Sequence, residues 1–153
     1  MLIEECVASG RKTGLKMVRP RLLCSLAEAC IAFNQLDKAS EALDEASSIA
    51  ESDGNRYWEA ETHRLRGELA WRESESTRVE AETCFERATE VARQQSARWW
   101  ELRATVSLAR LLASQGRREE ARARLAEIYN WFTEGFDTAD LKDAKALLDE
   151  LAT

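Results

Sequence analysis

The sequence predicts an all-α protein made of consecutive helical hairpins. Ala, Glu, Leu and Arg dominate the 153 residues, and one Pro and six Gly interrupt them, a composition that favours helix. A pattern of apolar residues around a small residue recurs about every 40 residues, which is typical of repeat proteins. The turn signals NQLD, SDGN and QGRR fall between the helical stretches of this pattern.

Composition also limits the classes of function. The chain is 44% hydrophobic and 33% charged, which predicts a globular domain rather than a disordered one. Its net charge of −6 gives no reason to expect a nucleic-acid partner. No apolar run approaches the ~18 residues of a membrane span, so we expect no membrane partner and a cytoplasmic location. Cys6, Cys24, Cys30 and Cys84 lack CxxC spacing and are expected to be small apolar core residues in a reducing compartment.

The repeat is marked by small residues at equivalent positions. Ala27, Gly67 and Ala109 each lie among Leu and Ala on a helical pattern. Each is followed by an apolar stripe on one face of a second helix. The three stripes are Ala39/Leu43/Ala46/Ala50, Ala81/Phe85/Ala88/Ala92 and Ala121/Leu125/Ile128/Phe132.

We therefore predict one domain over residues 1–153, made of antiparallel helix pairs. Its parts are a half repeat (1–14), repeat 1 (17–55), repeat 2 (56–97), repeat 3 (98–135) and a capping helix (137–151). The predicted helices lie near 18–34, 37–53, 56–73, 78–95, 97–115, 117–133 and 138–151. We expect Gly135 to end the sixth helix and Asp137 or Thr138 to cap the last. The half repeat suggests a fragment of a longer array.

These features resemble the tetratricopeptide repeat in its longer, MalT-like form. The segments HRLRGELAW, AETCFERATEVAR and YNWFTEGFDTADLKDAKALL are similar to the C-terminal repeat region of bacterial adenylate/guanylate cyclase–ATPase multidomain signalling proteins. The resemblance implies a tetratricopeptide-like helical-hairpin solenoid with a C-terminal capping helix. It also implies a protein-interaction and regulatory module at the C-terminus of a cyclase or ATPase, in bacterial signal transduction.

The residues give no sign of catalysis. There is no GxxxxGK(S/T) phosphate loop, and the single histidine, His63, has no accompanying ligands at metal-binding spacing. We expect a non-catalytic chain without cofactor or metal. Its partner is expected to be a protein or peptide, including other domains of the same parent chain, and a homo-oligomer is possible. The alternatives are a structural oligomerisation element, or part of an enzyme whose catalysis resides in upstream domains.

Two sets of residues are candidate binding positions. The first helices of tetratricopeptide hairpins line a groove, and the resemblance places one set of nine residues there. They are Arg21, Glu28, Glu61, Arg64, Glu68, Trp71, Arg72, Arg103 and Arg110. The second set, Trp131 and Phe136, either pins the capping helix or forms a docking surface. The basic run from Arg110 to Arg124 is interpreted as a salt-bridged, solvated face.

The related phrases RYWE (56–59) and RWWE (98–101) occupy the same position in two repeats. An aromatic cage would require their rings to converge, and repeat geometry separates them by one unit. We therefore interpret the phrases as a mark of register. Trp58 and Trp100 are expected inside, and Tyr57 and Trp99 at the surface.

Overall fold

The computed structural model describes residues 18–54 and 56–153, so the predicted half repeat and Cys6 lie outside the described residues. The described part is all-helical. Its seven α-helices are α1 (Arg19–Ala32), α2 (Leu36–Asp53), α3 (Glu59–Glu73), α4 (Arg78–Gln94), α5 (Arg98–Ser114), α6 (Arg118–Tyr129) and α7 (Ala139–Leu151). A 3-10 helix, Glu75–Thr77, connects α3 to α4.

The helix ends follow from local sequence. Pro20 lies in the first turn of α1, where its missing N–H costs nothing. Gly54, with φ of +65°, ends α2, and Gly116, with φ of +80°, lies between α5 and α6. Asn34 adopts φ of +57° in the turn after α1, a conformation that Asn tolerates better than most residues. The predicted turns are therefore confirmed at all three positions.

The predicted end of the sixth helix is wrong. Helix α6 ends at Tyr129 rather than at residue 133, because Trp131 and Phe132 bond back only three residues, in a tight turn. The apolar spacing of the sequence continues to Phe132, because the ring of Phe132 packs on the core from that turn. The sequence pattern therefore looks like one more turn of helix. Gly135, with φ of +79°, lies in the connection to α7.

Thr138 occupies the predicted N-cap position of the last helix, but its side chain does not cap the helix. Thr138 directly precedes α7, but its hydroxyl donates to the Gly135 carbonyl at 2.6 Å instead of accepting from the helix. No side-chain hydrogen bond caps this helix. Asp140 lies in its first turn, where a negative charge is favourable.

The helices form two layers. Each helix packs on the next one in sequence, and α1, α3, α5 and α7 also pack on one another in succession. Within the described ranges, the backbones of α2, α4 and α6 do not approach one another closely, and α4 and α6 meet through the ion pair of Glu86 and Arg124. The odd-numbered helices therefore form a continuous layer of four, and the even-numbered helices lie separately behind it.

The core lies between these layers and is built from the predicted stripes. Ala81, Phe85, Ala88 and Ala92 of α4 are fully buried. The small residues Ala27 and Ala109 are also fully buried, and Gly67 lies against the ring of Phe85. The stripe of α7 packs on the same core through Leu141, Ala144, Leu147 and Leu151. Small residues at the helix crossings thus let the layers approach closely.

One buried polar group in this core has no partner. The hydroxyl of Thr105 on α5 is buried and makes no hydrogen bond within the described structure. Burial of an unpaired hydroxyl is unfavourable, whereas a methyl group of the same shape is not penalised. We expect Thr105→Val to raise the free energy of unfolding by about 1 kcal/mol in urea denaturation. Thr89→Val is a contrasting control, because the Thr89 hydroxyl donates to the Glu86 carbonyl at 2.7 Å; a gain of equal size there would contradict the explanation.

Candidate functional site

A polar cleft crosses the layer of odd-numbered helices. Its volume is about 140 Å³. All four helices of the layer contribute, and the lining is mostly charged. The lining residues are Glu28 of α1, Arg64 and Glu68 of α3, Arg103, Val106, Ser107 and Arg110 of α5, and Asp140 and Asp143 of α7.

Arg64 is the centre of a hydrogen-bonded network at the floor of this cleft. Its Nε and Nη2 donate to the two carboxylate oxygens of Glu61 at 2.9 and 2.8 Å. Nη2 also donates to Glu28 at 2.9 Å, and Nη1 donates to Glu68 at 3.4 Å. The Ser107 hydroxyl donates to Glu68 at 2.6 Å. Arg64 thereby joins α1, α3 and, through Ser107, α5.

Arg103 extends the network to the last helix. Its Nη2 donates to Glu28 at 3.1 Å and to Glu61 at 3.0 Å, and its Nη1 donates to Asp140 at 3.2 Å. Arg110 forms a separate pair with Asp143 at 2.5 Å. One guanidinium group thus connects α1, α3 and α7 from its position on α5, so the network holds the layer together.

Glu61 and Arg64, the innermost ion pair of this network, are both buried, and this changes their pKa values. Glu61 is 4% exposed and Arg64 is 7% exposed. Burial alone would raise the pKa of Glu61, but Arg64 and Arg103 outweigh it and hold that pKa below its usual range. Burial alone would lower the pKa of Arg64, whereas its carboxylate partners raise that pKa above its ordinary value. Both groups are therefore charged at neutral pH.

The structure brings together most of the predicted groove residues. Glu28, Arg64, Glu68, Arg103 and Arg110 line the cleft. Glu61 lies beneath its floor and is buried instead of facing the groove.

The other predicted groove residues lie elsewhere. Trp71 is half-buried and packs on the core, and Arg21 and Arg72 are exposed outside the cleft lining. The prediction used the helical register, which shows only the face of a helix on which a residue lies. A side chain at the edge of that face can turn toward the core or away from the cleft. The cleft also contains Ser107, Asp140 and Asp143, which the sequence prediction missed. Asp140 and Asp143 were missed because α7 was assigned only a covering role, and Ser107 because the predicted register of α5 did not place it in the groove.

Three of the four aromatic residues of RYWE and RWWE converge, contrary to the sequence prediction. The ring centroids of Trp58 and Trp100 are 5.1 Å apart, and Tyr57 lies 5.5 Å from Trp58 and 6.2 Å from Trp100. The separation by one repeat was misjudged, because α3 and α5 stack directly and equivalent positions become neighbours. The rings contact one another edge to face or tilted, so they form a packed cluster.

The predicted exposures of these residues are only partly correct. Tyr57 is 60% exposed and Trp99 is 37% exposed, as expected for the surface. Trp58 and Trp100 are half-buried rather than fully inside. The cluster lies at the start of helices α3 and α5, and the Arg103 guanidinium is 6.0 Å from the Trp100 ring centroid. The aromatic cluster therefore borders the ion network.

Trp131 and Phe136 lie in the connection between α6 and α7, and both are largely exposed, at 55% and 45%. Trp131 contacts Phe132 at 5.2 Å between ring centroids, and Arg98 lies 5.4 Å from the Trp131 centroid. Phe132, which contacts Trp99 at 5.8 Å, is the member that packs on the core. Phe132 therefore anchors this connection to the core, and Trp131 and Phe136 present apolar surface.

The basic run on α5 and α6 is extensively paired. Arg117 bonds to Glu82 at 2.7 Å and to Glu120 at 2.8 Å. Arg124 bonds to Glu120, four residues earlier on the same helix, at 3.0 Å and to Glu86 at 3.4 Å. The arginine side chains of these pairs are exposed, so the run forms a salt-bridged surface.

His63 lies outside the cleft, at a second cavity of about 370 Å³ between α2 and α3. Burial lowers its pKa below the usual value; Glu59, with its carboxylate 4.0 Å away, opposes this shift, and Arg87 and Arg66 reinforce it. A lowered folded-state pKa means that the unfolded chain takes up the proton first as the pH falls. The contribution of His63 to stability is therefore present above about pH 6.5 and is lost as the pH falls through the folded pKa.

We expect the free energy of unfolding to decrease as the pH is lowered from 7.5 toward 5.5, and His63→Gln to reduce that slope. Urea denaturation at several pH values measures it. As the chain has one histidine, its imidazole NMR signal gives the folded pKa directly. A folded pKa at or above the usual value of about 6.5 would contradict this prediction.

Among the described residues, no group of three His, Cys, Asp or Glu is arranged to hold a metal ion, and no helix has the length and apolar character needed to cross a membrane. Cys24 and Cys30 are buried cysteines, as predicted, and Cys84 is half-buried. Burial raises the pKa of Cys24 to about 11, which disfavours the nucleophilic thiolate.

Comparison with known proteins does not assign this architecture to a family. No protein-family model matches the chain, and no curated protein matches it significantly. The tetratricopeptide and cyclase–ATPase resemblances therefore remain predictions from the sequence.

Proposed function

We propose that this chain is a tetratricopeptide-like protein-interaction module that binds a peptide segment of its partner across the polar cleft. The observation that carries the proposal is the cleft itself, which exposes charged groups from α1, α3, α5 and α7 on one surface. A segment lying across four stacked helices can contact each of them in turn. Helical repeat proteins commonly bind partners on such extended surfaces.

The size and lining of the cleft favour a peptide over a metabolite. Its volume of about 140 Å³ is below the ~300–1,000 Å³ of typical small-molecule pockets. Its lining is mainly charged, with Val106 as an apolar exception, whereas metabolite pockets are mainly apolar. In the proposed setting, the module is the C-terminal part of a cyclase or ATPase signalling protein and docks another protein or another domain of the parent.

The direct test is selection of a displayed random dodecapeptide library on the chain. Recovered peptides are synthesised and titrated into ¹⁵N-labelled protein. We expect the amide signals of cleft residues, such as Glu28 and Asp143, to shift, and those of Glu41 on α2 to stay unchanged. If no peptide is recovered, or if all recovered peptides map elsewhere, the proposed cleft function is wrong.

An enzymatic role is tested separately. Purified chain is incubated with ATP and GTP, and cyclic nucleotide and released phosphate are measured. Our proposal expects turnover no higher than that of a heat-denatured sample. Activity that follows the protein through purification would favour the enzymatic alternative.

A second candidate function, association of the chain with itself or with its parent, is favoured by the exposed aromatic surface at Trp131 and Phe136. Light scattering over a range of concentrations measures self-association, and Trp131→Ser should reduce it. A concentration-independent monomer mass would exclude self-association through this surface.

A further inference from the structure

We infer that the cleft selects a cationic side chain, Arg or Lys, in the bound segment. This inference rests on the proposed function and adds the chemistry of the partner. The cleft and its floor contain five carboxylates against three guanidinium groups, which leaves a formal charge of −2. The carboxylates belong to Glu28, Glu61, Glu68, Asp140 and Asp143, and the guanidinium groups belong to Arg64, Arg103 and Arg110.

The hydrogen bonds of these carboxylates also favour a positively charged ligand. Glu28 and Glu68 each receive their protein donors at Oε1, and Asp140 and Asp143 each receive theirs at Oδ1. Within the described chain, the second oxygen of each carboxylate accepts no hydrogen bond. Four carboxylate oxygens of the cleft residues therefore receive no donor from the described part of the protein.

The arginines offer far less to a ligand. All three guanidinium nitrogens of Arg64 donate to protein oxygens, and both terminal nitrogens of Arg103 do so. The remaining Nε of Arg103 is buried. Arg110, at the exposed rim, directs Nη2 to Asp143 and keeps its other terminal nitrogen available. Acceptors thus outnumber donors, and a donor group complements the cleft.

Arg and Lys are the side chains that match these properties. Both carry a positive charge and several N–H donors and no acceptor. A planar guanidinium group can also bond to two carboxylates at once. The volume of about 140 Å³ suits one long side chain. The net charge of −6 on the whole chain would further favour approach of a basic segment.

The test uses the strongest cleft-binding peptide from the displayed library. A second synthesis replaces each Arg by citrulline, which keeps the shape and removes the charge, or each Lys by its acetylated form. We expect the recovered peptides to be enriched in Arg or Lys over the input library, and the neutral version to bind at least about tenfold more weakly by fluorescence anisotropy. Binding of the charged peptide should also weaken as salt is raised.

Two protein variants locate the effect. Asp143→Lys changes the charge of the cleft, and Glu41→Lys makes the same change in total charge on the exposed face of α2. Asp143 is in an exposed pair, so its replacement should leave the fold intact. We expect Asp143→Lys to weaken binding of the basic peptide by about tenfold, and Glu41→Lys to weaken it by less than about twofold.

Each alternative outcome is decisive. Peptides that shift cleft amides but are acidic or neutral would overturn the cationic selection and leave the peptide-binding function standing. Equal weakening by Asp143→Lys and Glu41→Lys would show general electrostatic attraction instead of recognition in the cleft. Recovery of no cleft-binding peptide would overturn the proposed function and this inference together.

Discussion

Arg64→Met is expected to destabilise the protein by about 3 kcal/mol, because it leaves Glu61 charged and largely shielded from water. Glu61 loses its two shortest hydrogen bonds with Arg64 and keeps only the donor from Arg103 at 3.0 Å. Glu28 and Glu68 are more exposed, so water can replace their lost donors. The cost therefore arises mainly at Glu61. Urea denaturation of the full chain measures it.

Arg66→Met is the matched control on the same helix. Arg66 also bonds to a carboxylate, that of Asp44 at 2.9 Å, but water reaches both side chains, which are 33% and 66% exposed. Exposed ion pairs contribute about 0–1 kcal/mol, so this variant should lose no more than that. If Arg64→Met and Arg66→Met have equal effects, the buried pair has no special importance.

The double variant Arg64→Met/Glu61→Leu distinguishes unpaired charge from lost packing. Replacement of a buried ion pair by apolar residues of similar volume is often neutral. We expect the double variant to recover most of the stability lost in Arg64→Met. If the two substitutions simply add, then the loss comes from packing, and the unpaired carboxylate is not its cause.

The network also predicts behaviour in acid. The lowered pKa of Glu61 means that its contribution to stability is present above its unfolded pKa of about 4.5 and is lost as the pH falls through the lower folded pKa. Glu61→Gln should therefore flatten the acid limb of the stability curve. The pH range in which Glu61 titrates lies below that of His63, so the effects of the two groups on stability can be measured separately.

The sequence predicts the helices better than it predicts the cleft. Helix positions depend on local signals, such as Gly54 and Pro20, which act within a few residues. The cleft depends on which residues meet across helices, as when Glu28 and Arg103 bond across 75 positions. One rule could have recovered part of it. Because the odd-numbered helices stack, positions one repeat apart touch, as Trp58 and Trp100 do.

The same rule identifies the pair of Glu61 and Arg103, which are also one repeat apart and bond at 3.0 Å. It cannot identify Asp140 or Asp143, because α7 follows a connection of irregular length and lies outside the repeat period. Nor does it show that Glu61 is buried, since burial depends on how the long side chains of Arg64 and Arg103 fold over it. The charges of a site are thus harder to place from sequence than its helices.

Gly67→Ala is the other large effect that we expect, with a loss of about 2 kcal/mol despite the better helix propensity of Ala. A Cβ at this position would lie 2.5 Å from Cε1 and 2.6 Å from Cδ1 of Phe85. The Phe85 ring is fully buried, so it cannot move aside without disturbing the packing around it. The propensity gain of about 1 kcal/mol is smaller than the cost of overpacking by up to ~3 kcal/mol.

A double-mutant cycle with Phe85→Leu tests this close approach. Phe85→Leu alone removes ring atoms at the contact and should destabilise the protein through incomplete packing. In that background, Gly67→Ala has space for its methyl group and should be nearly neutral, giving a coupling energy of about 1–2 kcal/mol. Thermal and urea unfolding of the four proteins measure it. Additive losses would mean that α3 and α4 can separate to admit a methyl group, and that Gly67 is not needed for their contact.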